Sequence, residues 1–141
     1  MVYHIPALLR ESIDGLNLKP DGIYVDVTFG GGGHSMEILK RINKGKLIAF
    51  DQDDDATVNV PFDERLLFLN QNFRFLKNNL HFNGIKSVDG LIADLGVSFH
   101  QFDEPARGFT FRQDAPLDMR MNKSGTITAV HLLNTLNEQS L

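Results

Sequence analysis

The chain has 141 residues, of which 42% are hydrophobic and 23% charged, a composition typical of a folded domain and not of a disordered chain. It contains no cysteine, which excludes disulfide bonds, thiolate metal sites and a cysteine nucleophile. Its formal net charge of −4 excludes a broad basic surface, so any contact with nucleic acid must be local.

The amino terminus comes first in chain order. Residues 1–6 lack the basic region and the long apolar stretch of a signal peptide, and no apolar run reaches the roughly 18 residues of a membrane span. Together with the absence of cysteine, this leads us to expect a cytoplasmic protein with no membrane partner. Apolar residues at intervals of three to five then predict a short amphipathic helix over 7–16.

Strands and helices alternate along the part of the chain that follows. Runs rich in β-branched and aromatic residues predict strands over 23–28, 46–50, 66–69 and 88–93. Between them we expect a helix with Ser35 as its N-cap and Gly45 as its C-cap, and another helix over about 73–80. This alternation predicts right-handed βαβ units, and hence an α/β fold with a parallel sheet.

The character of the sequence changes after Gly96. Residues 97–125 carry few periodic signals and are rich in glycine, proline, aspartate and arginine, and a last helix is predicted over about 128–136. Asn137 is a good N-cap residue, so we expect a further helix to begin there and the sequence to stop within a longer fold. We divide the chain into a half-domain, 1–100, and a loop with the start of a further domain, 101–141.

Four consecutive glycines, Gly30 to Gly33, lie between the first predicted strand and the helix after it. Glycine allows the backbone to turn sharply and a ligand to approach it closely, and the N–H groups at the start of a helix attract polar ligand groups. Asp51 ends the next strand, about 20 residues further on, where a carboxylate typically accepts hydrogen bonds from ribose hydroxyls. The loop therefore predicts a nucleoside-containing cofactor, and a turn that binds nothing is the weaker alternative.

The residues around the loop distinguish between classes of cofactor. A dinucleotide fingerprint has a third glycine where this chain has Ser35, and no Gly-Lys-Ser/Thr follows, which excludes a P-loop. Asp26, at the entrance to the loop, would repel a pyrophosphate and attract the cationic S-adenosylmethionine. The loop thus favours S-adenosylmethionine over a dinucleotide.

Two further residues are candidates for the same crevice. Asp94 ends the fourth predicted strand, beside the first in the usual strand order, although it could instead cap the turn at Gly96. Phe73 could cover an adenine ring, and a core aromatic is an equally good interpretation.

The region 101–141 interleaves cations with aromatic rings, a combination that binds unpaired nucleotides. The predicted RNA-binding residues are Arg107, Phe109, Phe111, Arg112 and Arg120. A folded loop, in which arginines pair with Asp103 or Asp118, is an equal alternative, because this region holds four basic and five acidic residues. We expect no metal site, because the histidines lack ligand spacing and the acidic run at 53–55 is typical of a solvated turn.

Several motifs together resemble a single family along essentially the whole chain. They are His4-x-Pro6-x-Leu8-Leu9, Gly22-x-Tyr24-x-Asp26-x-Thr28-x-Gly30, Gly32-Gly33-His34-Ser35, Asp94-Leu95-Gly96-Val97-Ser98, Gln101, Arg107-Gly108-Phe109-x-Phe111 and Pro116-Leu117-Asp118-Met119-Arg120-Met121. With these motifs the chain resembles the ribosomal RNA small subunit methyltransferase H family, the 16S rRNA cytosine-N4 methyltransferases.

The resemblance implies a Rossmann-like class I methyltransferase fold, incomplete in this chain, and methyl transfer from S-adenosyl-L-methionine to the N4 amine of a cytosine in 16S rRNA of the small ribosomal subunit. The cofactor contacts that it implies are Gly32, Gly33, His34, Asp51, Phe73, Asp94 and Gln101. We assign Asp94 as the catalytic residue, because its carboxylate could accept a hydrogen bond from the amine and orient the nitrogen lone pair. The alternative is a truncated, non-catalytic binding module; a small-molecule methyltransferase is disfavoured by residues 101–121.

The sequence departs from the family pattern in three places. It stops within what would be the inserted helical domain, a short segment over 52–61 replaces a longer helix, and Phe99 stands where the family usually has a serine. The fourth strand would then form an uncovered sheet edge. We expect a homodimer through this edge or through the region that the chain lacks, or a monomer in which residues 97–141 cover the edge.

Overall fold

A four-stranded parallel sheet organises the first part of the chain in the computed structural model, which describes residues 6–141. The strands are β1 (Ile23–Asp26), β2 (Lys46–Phe50), β3 (Leu66–Leu69) and β4 (Gly90–Ile92), in the order β3-β2-β1-β4. All three strand pairs are parallel, so the predicted α/β fold is confirmed. Residues 1–5, which include His4 of the first motif and all but the last of the residues tested for a signal peptide, lie outside the described part of the chain.

The strand order reverses between β1 and β4. The chain builds the sheet outward from β1 through β2 to β3, and then returns to place β4 on the other side of β1. Ligands of open α/β sheets bind at such a reversal, outside the carboxyl ends of the strands. Residues that follow β1 and β4 are therefore brought to one place by the topology alone.

Helices cover both faces of the sheet. Helices α1 (Leu9–Gly15) and α2 (Gly33–Arg41) pack on one face, where Tyr24 and Leu47 are fully buried. Helix α3 (Leu76–Phe82) packs on the other face against Val25 and Ile48. Successive residues of a strand point to opposite faces of the sheet, and here both faces are covered by helices. This explains why β1 and β2 are apolar at nearly every position.

The predicted bounds of α2 are wrong at both ends. The N-cap is Gly32, with a φ of 79°, and Ser35 lies inside the first turn, where its hydroxyl is bonded to Asp26. The helix ends with Ile42 as its C-cap, before Gly45. Gly45 instead packs so closely against the backbone of Gly22 that a Cβ would overlap the Gly22 carbonyl oxygen.

Short 3-10 helices precede β3 and α3, over Asp54–Asn59 and Phe73–Phe75. The first lies within the segment 52–61, for which the resemblance implies a longer helix. The second begins the helix predicted over 73–80, which continues as α3 as far as Phe82.

Residues Gly96–Leu141 form a compact unit of their own, separate from the unit Met1–Leu95. This second unit contains α4 (Phe99–Asp103), a 3-10 helix (Pro105–Arg107) and α5 (Ala129–Thr135), of which only α5 was predicted. The Asn137 side chain accepts a hydrogen bond from the Ser140 N–H at 3.0 Å, the bond that an N-cap residue makes. The division of the chain at residue 100 into functional parts stays a prediction.

Strand β4 forms one edge of the sheet, as the sequence predicts. Leu91 on this strand is exposed. Association of two copies through this edge stays a prediction. Within residues 6–141, no helix is long and apolar enough to cross a membrane.

The central strand β2 provides a test of the core. Ile48 is 1% exposed, so Ile48→Ala should lower the free energy of unfolding by about 2–5 kcal/mol, because it removes buried methyl groups and leaves a cavity. Val58→Ala is the matched control: Val58 is 82% exposed, and its truncation should change stability by less than about 0.5 kcal/mol. Urea denaturation followed by circular dichroism measures both, and equal effects would contradict the assignment of the core.

Candidate functional site

A buried carboxylate joins the end of β1 to the start of α2. Asp26 is 1% exposed, and its Oδ2 accepts a hydrogen bond from the Ser35 hydroxyl at 2.7 Å. Its Oδ1 accepts a hydrogen bond from the Thr28 N–H at 2.9 Å. These bonds hold the chain on either side of the glycines in one arrangement.

Burial raises the pKa of Asp26, while the hydrogen bonds from Ser35 and Thr28 and the nearby His34 act in the opposite direction. Both carboxylate oxygens are occupied by protein groups. The interpretation of Asp26 as a charge that selects the cofactor therefore needs correction, because its closest partners belong to the fold itself.

The glycine loop has no room for side chains at two of its positions. Gly32 has a φ of 79°, and a Cβ there would lie 2.9 Å from the Phe29 ring. At Gly33 a Cβ would overlap the ring of Pro6. Gly30 also has a positive φ, of 51°. The loop thus requires glycine, because the Phe29 and Pro6 rings occupy the space that a side chain would need at Gly32 and Gly33.

Asp51 is bonded directly to this loop. Its Oδ2 accepts a hydrogen bond from the Gly30 N–H at 2.7 Å, and its Oδ1 accepts one from the Asp53 N–H at 2.9 Å. Burial raises the pKa of Asp51, against the effect of these two bonds. The structure therefore brings the predicted ribose ligand to the glycines.

His34 carries a buried nitrogen without a partner. The side chain is buried in the first turn of α2, and its Nε2 makes no hydrogen bond to any residue that the structure describes. A buried polar atom that remains unpaired is costly, which makes this atom a candidate for contact with a ligand or a water molecule.

Asp94 lies where the sequence predicts, beside the end of β1. Its N–H donates a hydrogen bond to the Thr28 hydroxyl oxygen at 2.8 Å. Its carboxylate is exposed and accepts no hydrogen bond from Gly96 or from any other described residue. The alternative, a carboxylate that caps the turn, is therefore not what the structure shows.

Phe73 is held close to the loop that contains Asp51. Asn72 caps the 3-10 helix that Phe73 begins, and its Nδ2 donates a hydrogen bond to Gln52 Oε1 at 2.8 Å. Phe73 is 42% exposed and lies outside the buried clusters on both faces of the sheet. Its ring is thus available to a ligand, and the core interpretation is not supported.

Gln101 lies in the second unit and is buried there. It forms a capping box with Ser98 at the start of α4, in which its Oε1 accepts a hydrogen bond from the Ser98 N–H at 2.9 Å. Its Nε2 contacts the sulfur of Met121 at 3.3 Å. These contacts show a structural role for Gln101, and its predicted contact with a cofactor stays a prediction.

Two of the predicted RNA-binding arginines hold a loop of the second unit together. Arg120 donates to both oxygens of Asp118, at 2.7 and 2.6 Å, and to the carbonyls of Lys123 and Gly125. The buried Arg107 donates to the carbonyls of Arg120 and Met121. The folded-loop alternative is therefore present in the structure, with Asp118 as the carboxylate partner.

Phe111 and Arg112 are oriented differently. Phe111 is 98% exposed, and Arg112 is an exposed side chain 3.9 Å from Asp103. Phe109 lies under the guanidinium of Arg107, at 5.9 Å from the ring centre. Of the five residues predicted to bind RNA, Phe111 and Arg112 are thus the two whose side chains face solvent most fully.

The acidic run at 53–55 starts a helix. The Asp53 side chain accepts a hydrogen bond from the Asp55 N–H at 3.1 Å and so caps the 3-10 helix that follows. In the described part of the chain, no three His, Asp or Glu side chains are grouped as they would be around a metal ion.

The profile of the MraW methylase family matches residues 1–141. The chain belongs to this family. The ribosomal RNA small subunit methyltransferase H of Flavobacterium johnsoniae is 60% identical over 142 residues, which cover 100% of this chain and 47% of that protein. The protein of the same name from Bacteroides thetaiotaomicron is 54% identical, with the same coverage of both chains. The chain thus spans about half the length of the curated relatives that it matches.

Membership of the MraW methylase family confirms the resemblance that the motifs predict. It also accounts for the fold: the parallel sheet with helices on both faces is a partial Rossmann-like methyltransferase fold. The residues that contact one another at the glycine loop all belong to the matched region.

Sequence reasoning overlooked three polar residues that hold the loop in place. Thr28 binds Asp94, Asn72 binds Gln52, and the Asn59 side chain donates to the carbonyl of Gly30 at 3.2 Å. Threonine and asparagine next to strand ends and glycines are common turn residues, so their type alone gives no indication of a partner.

The raised pKa of Asp26 predicts a pH dependence of stability. The folded protein binds a proton at Asp26 more readily than the unfolded chain does. The contribution of this group to the free energy of unfolding is therefore fully present below the unfolded pKa of about 3.9, and it is lost as the pH rises through the folded pKa. Wild-type stability relative to Asp26→Asn should therefore increase as the pH falls from 7 towards 4. Urea denaturation at several pH values measures this difference, which isolates Asp26 from the other carboxyl groups. A difference that stays constant would contradict the prediction.

The bonds of Arg120 predict a structural role that Arg112 lacks. Arg120→Ala should lower the melting temperature of the protein, because it leaves Asp118 and two carbonyls without their side-chain donor. Arg112→Ala, the matched control, should have little effect on thermal denaturation. Because Arg120 lowers the pKa of Asp118 to about 2, the effect of Arg120→Ala should persist above pH 4 and fade as the pH falls towards 2. Equal melting temperatures for the two variants at pH 7 would contradict this assignment.

Proposed function

We propose that this chain provides the S-adenosylmethionine-binding part of a methyltransferase that acts on the N4 amine of a cytosine in 16S rRNA. One observation carries the proposal: in a member of the MraW methylase family, Asp51 is bonded to the glycine loop through the Gly30 N–H, beside the strand ends that hold Asp94. The ribose and the sulfonium of the cofactor and the N4 amine of the cytosine would all be recognised at this edge of the sheet.

The residues present fit such a cofactor. Gly30, Gly31 and Gly33 are half-buried in the loop, so part of its backbone reaches the surface, and His34 Nε2 is a buried polar atom without a partner in the described residues. Asp51 accepts hydrogen bonds from the Gly30 and Asp53 N–H groups, and the Gln52 N–H also acts on its carboxylate. A carboxylate has about four acceptor sites in all, so Asp51 retains acceptor capacity for a ribose hydroxyl.

In this proposal, each residue of the first unit has a separate task. Asp51 binds the ribose, the backbone at Gly32 and Gly33 lies against the methionine part, and Phe73 covers the adenine. His34 donates or accepts one further hydrogen bond at its buried nitrogen.

The chemistry suits a chain without cysteine. When bound, S-adenosylmethionine supplies a methyl group that is already reactive towards a nitrogen nucleophile. Methylation at C5 of cytosine needs a thiolate, whereas methylation at N4 needs alignment of the amine and removal of a proton. In this proposal the carboxylate of Asp94, which is exposed, accepts a hydrogen bond from that amine and so directs its lone pair. The base must leave its stack to reach the site.

The identity of the substrate rests on the relatives, whose printed name is ribosomal RNA small subunit methyltransferase H. We extend this name to the chain as a proposal, together with 16S rRNA of the small subunit as its partner and the cytoplasm as its location. Phe111 and Arg112 are the RNA contacts that we retain, since the donors of Arg107 and Arg120 serve the protein. Stacking on an exposed ring and pairing with a phosphate are typical of such contacts.

Calorimetric titration with S-adenosylhomocysteine, the demethylated product of the donor, tests the cofactor site in this chain. The chain should bind the product, and Asp51→Ala should weaken binding at least about tenfold, because it removes a carboxylate–hydroxyl contact and the bond to Gly30. Asp54→Ala is the matched control, since Asp54 is an exposed carboxylate in the adjacent 3-10 helix. If the wild-type chain fails to bind at millimolar ligand, the proposal is wrong.

A second measurement separates an enzyme from a binding module. Small subunits that lack the N4 methyl group are incubated with tritiated S-adenosylmethionine and the chain, with the Flavobacterium johnsoniae relative as positive control, and the nucleosides are then separated. Tritium in N4-methylcytidine supports the proposal for the chain itself. Cofactor binding without transfer would identify the chain as a binding module that needs the remaining half of the longer relatives.

A further inference from the structure

We propose that Thr28 is a positioning residue, whose hydroxyl holds Asp94 in the place from which Asp94 contacts the cofactor and the amine. The inference rests on the proposed function of this site and deepens it. Thr28 itself touches neither reacting group in this scheme; it acts through the backbone of Asp94.

The hydroxyl of Thr28 extends the pairing of β1 with β4. The last backbone bond between these strands runs from the Val27 N–H to the Ile92 carbonyl, at 3.0 Å. Asp94 lies beyond this bond, and its N–H donates to Thr28 Oγ1 at 2.8 Å. A side chain thus replaces the backbone acceptor at the position where the sheet ends.

The backbone of Thr28 is anchored to the buried carboxylate. Its N–H donates a hydrogen bond to Asp26 Oδ1 at 2.9 Å, and its Oγ1 lies 3.4 Å from the same oxygen, which is long for a hydroxyl hydrogen bond. A hydroxyl has one donor and two acceptor sites, so the contact with Asp26 is compatible with acceptance from the Asp94 N–H. The carboxylate that anchors α2 through Ser35 therefore also fixes the residue whose hydroxyl binds Asp94.

Asp94 has little else to hold it among the described residues. Its carboxylate is exposed, and the residues that follow it reach Gly96, with a φ of 140°, a conformation that favours glycine. Loss of the Thr28 hydroxyl should therefore let the Asp94 segment move, and a preorganised contact would be lost from the site.

The experiment compares Thr28→Val, which has a similar shape without the hydroxyl, with Thr28→Ser, which keeps it. Binding of S-adenosylhomocysteine is measured by calorimetry, and exchange of the Asp94 amide proton is measured by NMR without ligand. Thr57→Val is the matched control, because Thr57 is an exposed threonine whose hydroxyl donates to the Asp54 carbonyl. Each variant is also measured in the Asp94→Ala background.

We expect Thr28→Val to bind about three- to tenfold more weakly, the effect of one lost hydrogen bond, and Thr28→Ser to bind as the wild type does. The Asp94 amide should be protected from exchange in the wild type and in Thr28→Ser, and should lose protection in Thr28→Val. In the Asp94→Ala background, Thr28→Val should have no further effect on affinity.

Three results would overturn the inference while the proposed function stands: unchanged affinity in Thr28→Val, an unprotected Asp94 amide in the wild type, or an equal loss of affinity with and without the Asp94 carboxylate. The amide measurement needs no ligand, so it tests the bond even where a variant is less stable. Failure of the wild-type chain to bind S-adenosylhomocysteine is a different result, and it would overturn the proposed function itself.

Discussion

The arrangement of the candidate site depends on a single buried carboxylate. Asp26 holds α2 through the Ser35 hydroxyl and the turn after β1 through the N–H of Thr28. A carboxylate removed from water is costly, and burial raises the pKa of Asp26 although both of its oxygens accept hydrogen bonds. The four glycines between these anchors have wide conformational freedom, and the carboxylate restricts them to one path. A loop that must be both open and well placed thus combines the most permissive residue with a strong fixed acceptor.

Much of the fold follows from patterns that are local in sequence. Continuous apolar runs predict the bounds of β2 and β3 correctly. For β2 the reason is burial on both faces, which tolerates few polar residues, whereas β3 is a partly exposed edge strand. The start of α2 was wrong for a physical reason. Serine is a preferred N-cap, but Ser35 is held by Asp26, nine residues earlier in the chain, and the left-handed Gly32 begins the helix instead. Local preference gave way to a buried partner that the pattern cannot show.

The site was predicted less completely, since its contacts join distant positions. Spacing along βαβ units indicates Asp51 and Asp94, but the bond between Asp94 and Thr28 links residues that are 66 positions apart. In the second unit, alternating arginines and aromatic rings are compatible with RNA binding and with a self-paired loop, and both interpretations have the same composition. Only the positions of Asp118 and of the backbone carbonyls show that Arg120 is a structural cation.

The ring of Pro6 lies so close to Gly33 that it forms part of the surroundings of the glycine loop. Pro6 and Gly33 are 27 positions apart in the chain, so the conformation of the glycines also depends on a residue that precedes the first strand. A substitution at position 6 would change the packing around the loop without altering any residue of the loop itself.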